Sequence, residues 1–97
     1  MDVVFTGLVI EWRGPSPFHF VAVPEEQAAD IREVAATATY GWGVVPVEAD
    51  IGGTVFTTSL FPKDGGYLLP LKKAVRTARG LLAGDDVTVR MTVRLQG

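Results

Sequence analysis

Cysteine is absent from the 97 residues. That excludes disulfides, thiolate metal sites and cysteine nucleophiles together. Small secreted domains commonly depend on such staples, so a reducing, cytoplasmic setting is expected. Histidine occurs once, at His19, and no serine or aspartate is spaced from it as a triad would require. Apolar runs are only a few residues long, far short of a membrane span. The N-terminus carries Asp2 where a signal peptide carries bases. The expectation is therefore no enzyme, no cofactor, no metal and no membrane.

What is present is a folded domain's composition, 47% hydrophobic and 21% charged. The length suits one domain, residues 1–97. The net charge of −2 hides an asymmetry. Residues 1–50 hold eight acids and two bases, and residues 51–97 hold three acids and seven bases. Segregation of this kind bears on partners rather than on fold.

Strand signals dominate. Residues 3–13, rich in Val, Ile, Phe and Trp, predict a long strand, and Gly14 to Pro17 a turn into a second strand over 18–23. Pro24 then changes the period. Glu25 and Glu26 suit a helix start, and Ala28, Ile31, Val34, Ala35 and Ala38 recur at helical spacing, predicting about four turns that end near Gly41. Residues 44–51 predict a third strand, with Pro46 at an edge or bulge. Gly52-Gly53 marks a hairpin turn before a fourth strand over 54–61. A turn over 62–66 and a short strand over 67–69 follow. Pro70 is expected to open a second helix through Arg79, with Leu71, Ala74, Val75 and Ala78 as its apolar face and Gly80 as its C-terminal cap. Val87, Val89, Met91, Val93 and Leu95 alternate with polar residues in the clearest strand of the chain, and should point inward.

The order of elements repeats. Each half reads ββαβ, and two such halves related by a pseudo-two-fold axis can close six strands into a barrel. The fold class expected is mainly β: a six-stranded closed or split β-barrel from two pseudo-symmetric ββαβ halves, with two capping α-helices. Closure would remove the exposed edges that a small β domain must manage.

Several motifs run in order along the chain: Phe20-Val21-Ala22-Val23-Pro24, Ile51-Gly52-Gly53, Thr58-Ser59-Leu60-Phe61-Pro62, Tyr67-Leu68-Leu69-Pro70-Leu71-Lys72-Lys73 and Gly84-Asp85. Through them the chain resembles the bacterial domain-of-unknown-function family 1905. The resemblance implies a small bacterial β-barrel and brings no catalytic residues with it. Members commonly carry tryptophan in the second strand, where Phe18 or His19 stands here. The segment from Leu69 to Arg90 is also similar to the hairpin of swapped-hairpin regulators and antitoxins, which bind DNA as dimers.

Candidate site residues are few. His19 reads as a strand histidine with an ordinary hydrogen-bonding role. Asp64, Asp85 and Asp86 sit beside glycines and read as turn residues. Gly41-Trp42-Gly43 follows a helix and opens a strand, the reverse of a phosphate loop. Trp12, Trp42 and Tyr40 fit either core packing or an aromatic lining at a barrel mouth. Lys72, Lys73, Arg76 and Arg79 make a basic helix face. That face is either simply solvated, or a surface for an anion, nucleic acid or acidic partner, or the mate of the acidic first helix within or between chains, as in a homodimer. The leading expectation is a non-enzymatic binding or interaction module that takes a small ligand at the barrel mouth, on Trp12, His19 and Trp42, or an acidic protein partner. The alternative is a nucleic-acid-binding barrel that uses the basic second helix.

Overall fold

The computed structural model describes residues 1–15, 18–36 and 43–94. The expectations for Ser16 and Pro17, for residues 37–42 (Tyr40 and Trp42 among them) and for Leu95 lie outside the described residues.

Six strands and two helices follow in the order β1 (Asp2–Trp12), β2 (Phe18–Ala22), α1 (Glu25–Ala35), β3 (Val45–Ile51), β4 (Thr54–Lys63), β5 (Gly66–Leu71), α2 (Lys73–Arg79) and β6 (Asp86–Val93). They close into an antiparallel barrel with neighbours β1-β2-β5-β4-β3-β6. Period-2 alternation drives the closure. In β6, Val87, Val89, Met91 and Val93 are buried while Thr88, Arg90 and Thr92 are exposed, as the sequence predicts. Inward residues of all six strands, with Ala28 and Ile31 of α1 and Val75 of α2, form one apolar core.

The two long strands are corners. β1 pairs with β6 over Asp2–Leu8 and then with β2 over Val9–Trp12. β4 pairs with β3 over Thr54–Leu60 and then with β5 over Phe61–Lys63. The barrel is thus two four-stranded walls that share β1 and β4. Gly7 sits just before the first corner, where a Cβ would meet the Val21 side chain and the Ala22 carbonyl.

The ββαβ repeat is carried into the strand registers. Exchanging β1 with β4, β2 with β5 and β3 with β6 leaves the ring of neighbours unchanged. When the helix caps Pro24 and Lys72, both extended (ψ 152° and 151°), are superposed, the ladders bring Phe5 onto Phe56, Val9 onto Leu60, Val21 onto Leu69 and Ala49 onto Val89. All eight are buried.

Two expectations are corrected. Pro70 does not open α2; it lies in β5 opposite Phe20, and the helix starts at Lys73. Tyr67 gives its carbonyl to the N–H of Val23, just past β2, so by alternation the backbone groups of residue 70 face β4. The β4–β5 ladder ends at Leu68, so the missing N–H costs no bond. Pro46 solves the same problem in β3: its carbonyl accepts the Arg94 N–H just past the last β3–β6 pair. The second correction follows from the first. The shorter helix buries Val75, while Ala74 and Ala78 are exposed rather than part of an apolar face.

The hairpin turns are as tight as their glycines suggest. Gly52 and Gly53 (φ 58° and 96°) join β3 to β4, and Asp64 and Gly65 (φ 51° and 81°) join β4 to β5. Asp50 Oδ1 accepts the Gly53 N–H at 2.8 Å. Arg32 ties α1 to the second turn: it donates to the Gly65 carbonyl and, at 2.8 Å, to Glu25 Oε1. That bond to the Glu25 carboxylate raises the pKa of the guanidinium.

Candidate functional site: an aromatic groove on the outer wall

The two walls differ on their outer faces. Across β1, β6 and β3 the outward rungs read Asp2–Thr92–Glu48 and Val4–Arg90–Asp50. Thr92 donates to Asp2 at 2.8 Å, the Thr6 and Thr88 hydroxyls are 3.0 Å apart, and Arg94 reaches Glu48 at 3.4 Å. This is an ordinary polar sheet face with single exposed valines.

The outer face across β1, β2, β5 and β4 is apolar. One step along each ladder places Trp12, Phe20, Leu68 and Lys63 on a single diagonal. Phe20 and Leu68 are 9% and 7% exposed yet stand outside the interior core. They form the floor of a hollow of about 230 Å³ that is walled by Phe18 and Phe61 and closed by Trp12 and Lys63. Ring centroids are 5.5 Å apart for Trp12–Phe18 and Phe18–Phe20, and 6.1 Å for Phe18–Phe61, all tilted. Contacts of this kind fix the rings as one cluster. A second hollow adjoins it over Ile10 and Ala22 and shares Phe20, Leu68 and Lys63. Trp12 is still 49% exposed and Ile10 39%.

Of the described residues singled out in the sequence, Trp12 alone stands in this groove. Its ring is on the outer wall rather than in the barrel interior. His19 faces the other way, near one mouth of the barrel. Its Nε2 lies 3.4 Å from Glu11 Oε2, while Arg13 Nε holds Glu11 Oε1 at 3.1 Å. His19 Nδ1 is buried without a partner. Among the described residues, no group of three or more His, Cys, Asp or Glu is placed to hold a metal ion.

The basic residues around α2 do not project as one set. Lys72 lies at the β5–α2 junction, and its Nζ donates to the Thr57 carbonyl of β4 at 2.8 Å. Arg76 is half-buried, with its Nε shielded and unpartnered. The Arg79 guanidinium lies against Gly52 in the β3–β4 turn. Lys72 and Arg79 thus lie against β4 and the turn before it, and Lys73 stands apart in solvent.

Phe18, Phe20, Phe61, Leu68 and Lys63 were not among the sequence candidates. A signal for them exists. A half-buried strand alternates, but Tyr67–Leu71 is apolar at both parities and only His19 interrupts Phe18–Ala22, which marks strands with apolar side chains on two faces.

A match to the family described as "Domain of unknown function (DUF1905)" spans residues 5–91. The chain belongs to this family. The matched span takes in all of β2 to β5 and both helices, and with them every residue of the aromatic groove. No curated protein matches the chain. Family membership therefore agrees with the resemblance read from the motifs, and the residues of the groove come from the structure alone.

Proposed function

We propose that this domain is a non-enzymatic interaction module, cytoplasmic and bacterial, which holds a segment of a protein partner on the outer wall formed by β1, β2, β5 and β4. The observation that carries this reading is the groove itself: clustered aromatics, half-exposed at Trp12, on the outer face of a wall whose helices, among the described residues, turn their buried side chains to the interior core. A contiguous apolar patch rimmed by polar residues is the usual mark of a protein contact. The barrel interior is already filled by its own side chains, which favours the outer wall over a ligand at the mouth. The ring of strands is closed, so the partner docks on the side chains of this wall rather than adding a strand to it. Nucleic-acid binding through α2 has less support, because Lys72 is bonded to the Thr57 carbonyl of β4, Arg79 lies against the β3–β4 turn and Arg76 is half-buried.

Selection from a displayed library of random heptapeptides tests the reading. The wild-type domain should enrich apolar, aromatic sequences. A Trp12→Asp, Phe61→Asp double variant, altered only at outward positions and checked by circular dichroism, should lose them. Equal binding by both proteins, or no enrichment on the wild type, would sink the proposal.

A further inference from the structure

We infer that the groove is polarised and that its occupant is an acidic peptide segment: an apolar or aromatic stretch over Phe20 and Leu68, with an Asp or Glu at the Lys63 end. This inference rests on the reading of the outer wall as a peptide-binding face. It adds the partner's chemistry and its direction.

The pseudo-two-fold axis provides the reasoning. Under the exchange of halves, Phe20 falls on Leu68, and the two ends of the diagonal, Trp12 and Lys63, fall on each other. The floor of the groove is therefore nearly symmetric, with one apolar residue on each central strand. Its ends are equivalent in backbone and opposite in chemistry. One is a half-exposed indole. The other is an exposed ammonium for which no hydrogen bond or ion pair is found among the described residues. An apolar ligand alone would sit equally well in either direction. A carboxylate at Lys63 breaks the tie.

The surrounding charges favour the same end. Two carboxylates, Glu25 and Asp64, line the adjoining hollow, and Glu25 is taken by Arg32 at 2.8 Å. Asp64 stands in the tight turn and makes no ion pair with Lys63 among the described residues. Lys72, next along β5 beyond Leu71, has its ammonium on the Thr57 carbonyl, away from the Lys63 end. Among the described residues, Lys63 is thus the cation left to meet a ligand at that end of the groove.

The reach fits a peptide. The two ends are three diagonal steps apart on the ladders, about 21–24 Å along the sheet at about 7–8 Å a step, which an extended segment of about six or seven residues spans. The hydrophobic floor supplies attachment, and the rim charge supplies direction and discrimination.

The experiment uses synthetic heptapeptides with a Trp-Leu-Phe core, followed either by two glutamates or by two lysines, titrated by fluorescence anisotropy against the intact domain. The wild type should bind the glutamate peptide about five-fold tighter than the lysine peptide, the range of a rim ion pair. Lys63→Glu should reverse that preference and leave the fold unchanged. The difference should fade in 1 M salt, where the screening length is about 3 Å, while binding of the core persists. Equal binding of both peptides to wild type, or an unreversed preference in Lys63→Glu, overturns the inference and leaves the apolar docking face standing. Failure of both peptides to bind, or binding that survives the Trp12→Asp, Phe61→Asp double change, overturns the docking face and the inference together.

Discussion

Leu68 and Leu69 are adjacent, nearly equal in burial at 7% and 0% exposed, and point to opposite sides of β5. Truncating each to alanine separates the barrel core from the outer groove. Both changes remove three carbons, a transfer loss of about 2 kcal/mol. At Leu69 the void is enclosed, facing Val21 of β2 in the barrel interior, and the cavity term brings the total to about 3–5 kcal/mol. At Leu68 the void opens into the groove, where Phe18 and Phe61 can lean in or water can enter, so the cost stays at about 1–2 kcal/mol. Domains of this size are stable by about 5–15 kcal/mol, so Leu69→Ala consumes a large part of the margin. For about a hundred residues, each kcal/mol shifts Tm by roughly 4–8 °C. Urea melts at equal m-value, followed by circular dichroism, give the comparison directly. If Leu68→Ala cost as much as Leu69→Ala, the outer cluster would be a second sealed core and not an open groove, and the proposed binding face would fall with it.

Two backbone predictions follow from the corners and turns. Gly7→Ala should destabilise by about 1–3 kcal/mol, because the new Cβ would come within 2.7 Å of Val21 Cγ1 and 3.1 Å of the Ala22 carbonyl; a thermal melt matching wild type would refute the close approach at the β1 corner. Gly65→Val should cost about 1–3 kcal/mol through backbone strain alone, since φ is 81° and nothing crowds the position. Gly65→Asn should be far milder, as asparagine tolerates that region, and equal losses from both would point to a steric cause instead.

How much of this was legible beforehand differs by element. β6 could be read outright, because its strict alternation lets one face be the core and leaves the other to water. The start of α2 could not. Proline suits both a first helical turn and a strand position whose N–H has no partner, and only the length of the β4–β5 ladder decides between them. The basic residues show the same limit: their helical spacing was correct for Arg76 and Arg79, but spacing does not say that β4 lies beneath them.

By itself the sequence determined the order of the six strands, the tight glycine turns, the start of the first helix and the doubled ββαβ order, because each depends on side-chain period and backbone freedom within a few residues. Membership of the family rests on the same local motifs. Tertiary structure decided the groove. Trp12, Phe20, Leu68 and Lys63 come from four strands and meet only through three successive registers. A two-residue period states that a strand has two faces. Which apolar face is sealed inside a barrel, and which is left on its outer wall, depends on how distant strands close around the core.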